Sequence, residues 1–245
     1  MMFATKVMGH RGAAKIAPEN TLASLKAAAD AGLKWVEIDV SLAGGDDLVI
    51  FHDDTLDRCT SGSGLVIETS VTQLKKLDAG SWFDTQFANE TVPTLVEALL
   101  YIQELGLSLN LEIKYSGEQI ERIVPAVMAQ IHTYWQDKSS LMISSFNEAA
   151  LVMVRELDGD VRLGQLYDDI PANWSQTLKN ISAFSLNCNH NHLTEEQATA
   201  IKKAGYYLFC YTANDPKLVE SHWHWGMDTI ITDDPSVFID LGFAT

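Results

Sequence analysis

Short apolar runs alternate with longer segments in which apolar residues recur at helical spacing, and this pattern continues almost to the end of the chain. Such alternation predicts repeated strand–helix units and a parallel sheet. The runs that we predict as strands are Lys6 to Gly9, Trp35 to Val40, Ser108 to Ile113, Leu141 to Ser145, Arg162 to Leu166, Ala183 to Leu186, Tyr207 to Tyr211 and Thr229 to Thr232. About eight such units close into a (β/α)8 barrel, so we predict the α/β fold known as the TIM barrel.

Capping signals support helices between these strands. Thr94 with Glu97 and Thr194 with Gln197 predict capping boxes at two helix starts. Pro125 is expected to kink the helix after the third strand or to shift its start. Three glycines are placed to end helices with a positive φ, namely Gly32, Gly106 and Gly205.

The pattern is interrupted after the second strand. Residues 40–51 turn at Gly44 and Gly45 and then run apolar again, which predicts a hairpin that returns beside its own strand. Residues 55–92 are rich in Ser, Thr, Gly and Asp, with one short helical stretch near Val71 to Leu77. We therefore predict one domain over residues 1–245, with a small insertion at about 54–92 above the barrel mouth.

Composition and charge narrow the class of protein. The chain is 47% apolar and carries 17 Lys and Arg against 33 Asp and Glu, a net charge of -16. This surface repels phosphate polymers, so nucleic acid is not an expected partner, although a few converging cations can still bind a small anion. Three widely spaced cysteines argue against a disulfide framework. Since ionisable residues interrupt the first residues and no apolar run reaches about 18, we expect no membrane insertion and a cytoplasmic location.

Carboxylates cluster at two predicted strand ends. Glu37 and Asp39 lie two apart on one strand and therefore share a face, and Glu112 lies near the end of another apolar strand. Side-by-side carboxylates imply either a divalent cation or a shared proton. Three oxygen ligands without thiolates favour Mg²⁺ or Ca²⁺ over Zn²⁺. The alternative is that these acids only cap the loops that follow.

Two histidines and two cations fall near the same predicted edge. His10 and Arg11 end the first strand, His52 ends the returning hairpin strand, and Lys114 follows Glu112 by two positions. Histidines at such a site predict general acid and base catalysis, and the cations predict phosphate binding. A single histidine at a strand end is more often structural, so the prediction depends on their joint placement.

Other candidate residues carry weaker signals. Phe146 and Tyr211, like Trp82 and Phe83, are placed to line a pocket mouth, but aromatic residues at such positions are as often core or lid. Two histidine pairs have ligand-like spacing, yet polar loops and a helix end explain them better, namely His190 with His192 and His222 with His224.

Several motifs in the same order resemble the glycerophosphodiester phosphodiesterase family from end to end. They are His10-Arg11-Gly12, Pro18-Glu19-Asn20-Thr21, Glu37-Ile38-Asp39-Val40, His52-Asp53, Leu111-Glu112-Ile113-Lys114 and Ile231-Thr232-Asp233-Asp234-Pro235. The resemblance implies a barrel with a small insertion and an enzyme that hydrolyses a small glycerophosphodiester to glycerol phosphate and an alcohol. It also implies a divalent cation, Mg²⁺ or Ca²⁺, on Glu37, Asp39 and Glu112, acid and base roles for His10 and His52, and phosphate contacts from Arg11 and Lys114.

Within this chemistry we assign His10 as the base and His52 as the acid for the leaving alcohol. Two nucleophiles fit this chemistry, water or the substrate's own glycerol hydroxyl, and the second would pass through a cyclic phosphate. Two positions depart from the family pattern, Thr229 where glycine is usual and Tyr211 where tryptophan is common, and they bear only on the shape of the pocket. The sequence offers no dedicated pocket for the alcohol, so glycerol should be recognised strictly and the head group loosely. The alternatives are a lysophospholipase D or phospholipase C-like enzyme of the same fold, and a catalytically silent barrel that binds metal or phosphate.

Overall fold

The computed structural model describes residues 5–115 and 119–243. The strands in these residues are β1 (Val7–Gly9), β2 (Trp35–Leu42), β3 (Leu48–Ile50), β4 (Ser108–Ile113), β5 (Leu141–Ser145), β6 (Arg162–Tyr167), β7 (Ser185–Asn189), β8 (Tyr207–Tyr211) and β9 (Thr229–Thr232). The helices are α1 (Leu22–Asp30), α2 (Val71–Leu74), α3 (Leu95–Glu104), α4 (Ile120–Tyr134), α5 (Glu148–Leu157), α6 (Trp174–Asn180), α7 (Glu195–Lys203), α8 (Glu220–Trp225) and α9 (Ser236–Ile239).

The sheet closes into a barrel. Its strand order is β1-β9-β8-β7-β6-β5-β4-β2, and β1 also pairs with β2, all in parallel. Gly9 of β1 therefore lies opposite both Val36 of β2 and Thr232 of β9. The remaining strand, β3, pairs antiparallel with the end of β2, as the hairpin pattern predicts. The predicted TIM barrel is confirmed, and every predicted strand is present with ends shifted by at most three residues.

The helix caps follow the sequence signals. Thr94 and Thr194 accept hydrogen bonds from the backbone N–H groups of Glu97 and Gln197, and both capping boxes form. Pro125 does not set the start of α4, because the helix begins at Ile120. Its missing N–H removes one hydrogen bond in the second turn. The three predicted C-terminal glycines have positive φ angles, Gly32 at 86°, Gly106 at 68° and Gly205 at 89°.

The core of the barrel has two apolar layers, and the inner one closes the end of the barrel opposite the carboxylates. The larger layer fills the space between the strands and the surrounding helices. A smaller cluster packs inside the barrel and consists of Met8, Trp35, Met142, Phe209 and Ile231. Because side chains alternate along a strand, Trp35, Glu37 and Asp39 all face inward, with Trp35 nearest the start of β2. The apolar plug thus lies below the carboxylates, at the end opposite the barrel mouth.

The segment between β3 and α3 has its own small core. Phe51, Leu56, Val66, Leu74 and Val92 are buried together there. Two 3₁₀ turns at Val66–Glu68 and Thr85–Phe87 flank α2 within it. Among the described residues, no helix has both the length and the apolar character needed to cross a membrane.

Candidate active site

Three carboxylates converge at the mouth of the barrel. Glu37 and Asp39 lie on β2, and Glu112 lies on the adjacent β4 directly opposite Asp39 in the strand register. One oxygen from each residue lies within 4.8 Å of the other two. Glu37 and Asp39 are almost fully buried, at 3% and 1% exposure. Neighbouring parallel strands therefore bring together the three residues predicted as metal ligands.

The charges of these carboxylates oppose one another. Burial, together with Asp39 and Glu112, raises the pKa of Glu37 well above its usual range. Burial and Asp39 raise the pKa of Glu112 to about 7. Burial opposes ionisation of Asp39 as well, but Arg11, Lys114 and His52 outweigh it and lower its pKa. One oxygen of Glu37 is buried without any hydrogen-bond partner among the described residues. A hard divalent cation would ligate that oxygen and offset the repulsion, so the residues fit such an ion.

Arg11 is held in the left-handed region, with φ of 49°. Its backbone N–H donates to Glu37 at 3.0 Å, and its Nη1 donates to Glu19 at 2.6 Å. Its Nε lies 3.4 Å from Asp39 and makes no hydrogen bond with any residue that the structure describes. The turn needs glycine at position 9, because a Cβ there would meet the carbonyl oxygen of Gly12 at 1.9 Å. The turn after β1 therefore aims Arg11 at the carboxylate cluster.

Lys114 approaches the cluster from the other side. Its Nζ donates to Glu112 at 2.9 Å and lies 3.9 Å from Asp39. Although burial opposes the charge, these two carboxylates raise the pKa of Lys114. The site thus holds two cations, Arg11 and Lys114, beside three carboxylates. Such converging cations can bind a small anion although the protein as a whole is acidic.

His10 is oriented by a carboxylate from the last strand end. Its Nδ1 lies 2.6 Å from Asp233, and its Nε2 lies 3.9 Å from Glu37. Asp233 also accepts a hydrogen bond from Asn214 at 2.8 Å. An ionised Asp233 favours the His10 tautomer with its proton on Nδ1, which leaves Nε2 facing the cluster.

His52 has a similar partner but a different charge environment. Its Nδ1 lies 2.7 Å from Asp53. Burial is the main cause that lowers the pKa of His52, and Arg11 and Lys114 act in the same direction against Asp39 and Asp53. The neutral ring is therefore favoured in the free protein.

Arg58, from the insertion, joins the two sides of the site. Its Nε donates to Asp53 at 2.7 Å, and its Nη1 donates to Glu19 at 2.7 Å. Since Asp53 contacts His52 and Glu19 contacts Arg11, one guanidinium supports a predicted catalytic residue and a predicted phosphate ligand. Planar, fork-shaped donors suit such bridging of two carboxylates.

A cavity of about 140 Å³ opens among these residues, and every predicted site residue except Asp39 lines it. Phe146 and Tyr211 form one wall, with ring centroids 6.1 Å apart in an edge-to-face arrangement. The hydroxyl of Tyr211 donates to the carbonyl of Tyr167 at 2.8 Å. Trp82 and Phe83 lie in the insertion and are not part of this wall.

Two further polar residues line the cavity that the sequence motifs do not predict as site residues. Asn110 and Ser144 line the cavity and are fully buried. Both polar side-chain atoms of Asn110 and the hydroxyl of Ser144 lack a hydrogen-bond partner among the described residues. Asn110 lies two before Glu112 and so shares its face, which is the signal that would have identified it. Thr229, the first residue of β9, does not line the cavity. Its hydroxyl donates to the backbone carbonyl of Thr5.

A second group of acidic and histidine side chains lies on the surface. Asp168, Asp169 and His192 bring ligand atoms within 4.8 Å of one another, but all three are exposed. Exposed carboxylates are solvated and common, so this group lacks the buried character of the carboxylate cluster.

The chain is similar to known proteins in sequence and in fold. The model of the glycerophosphoryl diester phosphodiesterase family matches residues 10–237. A glycerophosphodiester phosphodiesterase of Caldanaerobacter subterraneus subsp. tengcongensis is 35% identical over 243 residues, covering 97% of each chain. One from Bacillus altitudinis is 30% identical, covering 94% of this chain and 95% of the relative. An Oleispira antarctica phosphodiesterase, solved with the product sn-glycerol-3-phosphate, superposes with a TM-score of 0.95 at 38% identity and 98% coverage of both chains.

Proposed function

Since the chain belongs to the glycerophosphoryl diester phosphodiesterase family of phosphoric diester hydrolases, we propose that it hydrolyses a glycerophosphodiester with the help of a divalent cation and two histidines. The products are glycerol phosphate and an alcohol. The observation that carries this proposal is a buried cluster of three carboxylates, two of which line one cavity together with two histidines and two cations. The product bound to the Oleispira phosphodiesterase supports the same class of substrate.

Glu37, Asp39 and Glu112 would hold the cation, which as Mg²⁺ or Ca²⁺ supplies Lewis acidity and compensates negative charge on the phosphate. The unpartnered oxygen of Glu37 supports this role, because a buried carboxylate oxygen without a donor or cation is costly. Asn20 donates to Asp39 at 2.8 Å and so fixes one of its oxygens. The protein thereby orients its acids before any ion binds.

Arg11 and Lys114 bind the phosphate of the substrate. The Nε of Arg11 has no hydrogen-bond partner in the described part of the chain, and the Lys114 ammonium faces the same cavity. Both are anchored by carboxylates, so their positions are set before the substrate arrives. Fixed cations at this point stabilise the negative charge that builds on the phosphoryl oxygens during displacement.

His10 and His52 divide the proton transfers. We propose His10 as the base, because Asp233 holds its Nδ1–H and leaves Nε2 able to accept the proton of the attacking oxygen, from water or from a glycerol hydroxyl of the substrate. We propose His52 as the acid that protonates the leaving alcohol. Burial is the main cause of its lowered pKa and Arg11 and Lys114 add to it, but an anionic phosphodiester between those cations offsets their contribution. Bound substrate therefore favours the protonated ring that an acid needs.

Asn110 and Ser144 provide hydrogen-bonding groups for the glycerol hydroxyls. Both are buried in the wall of the cavity without a side-chain hydrogen-bond partner among residues 5–115 and 119–243, so a substrate lacking hydroxyls would leave them unsatisfied. Sites built to bond a hydroxyl reject analogues without one far more strongly than they discriminate by size. Strict recognition of glycerol follows from this arrangement.

The test is a matched series of diesters varied at one end at a time. Replacement of glycerol by a plain alkyl chain should reduce kcat/KM far more than exchange of choline for ethanolamine. Equal losses at both ends would favour a general phosphodiesterase, and a marked gain from an acyl chain would favour a lysophospholipase D. Absence of turnover with every diester, in protein supplied with Mg²⁺ or Ca²⁺, would leave only the silent binding barrel.

A further inference from the structure

A second cavity, of about 210 Å³, adjoins the catalytic one. The two share Lys114 as a common wall. Ser41 and Leu42 from the end of β2, Val66 from the insertion and Tyr115 after β4 form other parts of this second cavity. Three separate segments therefore build it, and all of them lie at the barrel mouth.

The second cavity is lined by both apolar and acidic side chains. Leu42 and Val66 are buried in its floor, and Leu65 and Tyr115 are each 41% exposed at its rim. Asp53 and Asp54 add two acids, of which Asp53 is already shared between His52 and Arg58. Among the residues that the structure describes, the Asp54 side chain makes no ion pair and no hydrogen bond. Hydrocarbon walls with a free acid at the edge suit a compact organic cation.

Lys114 does not cancel this preference. Its ammonium donates to Glu112, on the side of the catalytic cavity. Its charge is therefore compensated by the carboxylate cluster, while Asp54 faces solvent and the second cavity. The net charge of -16 further disfavours an anionic occupant.

The position of the second cavity relates it to the leaving alcohol. Asp53, in its wall, holds Nδ1 of His52, the residue proposed to protonate the leaving oxygen. Lys114, in its other wall, is proposed to bind the phosphate. The second cavity thus borders the residues proposed to bind the phosphate and to hold the acid His52.

We infer that the cavity bounded by Leu42, Asp54, Val66, Lys114 and Tyr115 binds the ammonium-bearing head group of the substrate, of the choline or ethanolamine type. This head-group cavity deepens the proposed function and rests on it. It also revises the expectation, drawn from sequence, that the head group meets no dedicated pocket. Glycerol remains the strictly recognised end, and the head group is selected by charge and by size.

The experiment compares kcat/KM for glycerophosphocholine, glycerophosphoethanolamine and the uncharged glycerophosphoglycerol. Wild-type protein should prefer the two cationic substrates. Asp54→Asn should reduce the ratio of cationic to neutral kcat/KM about three- to fivefold, and Asp54→Lys should reduce it on the order of tenfold, because exposed charge pairs contribute modestly. Leu65→Trp, which narrows the cavity, should penalise choline more than ethanolamine.

Asp47→Asn and Asp47→Lys are the matched controls, since Asp47 is exposed in the hairpin turn and does not line the head-group cavity. They make the same change in net charge and should leave the ratio unchanged. If the Asp47 and Asp54 variants changed the ratio equally, the net charge of the protein would explain the preference, and the inference would be overturned.

A second measurement uses the wild-type protein alone. Tetramethylammonium chloride should inhibit hydrolysis of glycerophosphocholine competitively, and more strongly than sodium chloride at the same ionic strength. Equal inhibition by the two salts, with turnover of all three diesters at similar kcat/KM, would refute the head-group cavity and leave the proposed function intact. No turnover of any diester would instead refute the proposed function.

Discussion

The Nδ1 atom of His10 lies 2.6 Å from a carboxylate oxygen of Asp233, although the two residues are 223 positions apart. They meet because β1 and β9 pair in parallel, with Gly9 opposite Thr232 at the barrel mouth. The contact between a proposed catalytic histidine and its orienting acid therefore depends on closure of the barrel. Histidines that lose such a partner lose both their tautomer and their orientation.

Asp233→Asn should consequently lower kcat about 10- to 100-fold with a smaller effect on KM, because an amide cannot favour the productive tautomer. Steady-state kinetics with glycerophosphocholine would measure this. The control is Asp234→Asn at the next position, since Asp234 accepts a hydrogen bond from Ser236 and does not contact His10. Equal losses in both variants would mean that the loop as a whole, and not the His10 contact, sets the rate.

Binding of the cation should require all three carboxylates. Glu37→Gln, Asp39→Asn and Glu112→Gln should each weaken binding of Mg²⁺ or Ca²⁺ on the order of tenfold or more, since loss of an outer-shell partner alone costs about that much. Isothermal titration calorimetry on chelator-treated protein would measure it, with Asp47→Asn as the control. Full activity of the chelated wild-type protein would contradict metal dependence.

The same carboxylates make cation binding dependent on pH. The pKa of Glu112 is raised to about 7, and that of Glu37 is also raised. Without a cation, a raised carboxyl pKa makes stability fall as pH rises from the unfolded value of about 4.3 towards the folded one. A cation removes this penalty, so the gain in Tm from Ca²⁺ should grow between about pH 5 and about pH 8. Glu112→Gln should flatten that increase, and a gain independent of pH would contradict the linkage.

The strands and the carboxylate cluster were predictable because both depend on local pattern. Residues 37, 39 and 112 lie near ends of apolar strands, and parallel strands place such ends together whatever the loops do. The contact of Arg58 with Glu19, 39 residues apart, was not predictable, because the insertion has no periodic pattern from which its path follows. The cavity of about 210 Å³ is not predictable from sequence for the same reason, since segments from three parts of the chain form it.

Arg58 should act as a positioning residue for both His52 and Arg11. Arg58→Met should lower kcat about 10- to 100-fold, because small displacements of reacting groups are costly, and Arg58→Lys should restore only part of the loss. Kinetics with thermal unfolding in parallel would separate positioning from folding. Arg122→Met is the control, since exposed Arg122 pairs with Asp46 in the hairpin turn. Normal kcat in Arg58→Met would remove Arg58 from the site.

The assignment of acid and base can be tested with the leaving group. His10→Ala and His52→Ala should each lose on the order of 10² to 10⁴ in turnover of glycerophosphocholine. p-Nitrophenolate departs without a proton, so a p-nitrophenyl diester of glycerol phosphate should selectively rescue the variant that lacks the acid. Rescue of His52→Ala supports the assignment, and rescue of His10→Ala would reverse it.

The pH dependence of the wild-type protein gives an independent test of the same assignment. As the acid, His52 must be protonated, so activity should fall as pH rises through its pKa. That pKa is lowered in the free protein by burial, with Arg11 and Lys114 contributing. A bound phosphodiester anion compensates both cations and raises it. The pH dependence of kcat reports the enzyme–substrate complex, and that of kcat/KM reports the free protein. The decrease at alkaline pH should therefore occur at higher pH in kcat than in kcat/KM. A decrease at the same pH in both profiles would show that bound substrate does not raise the pKa of His52.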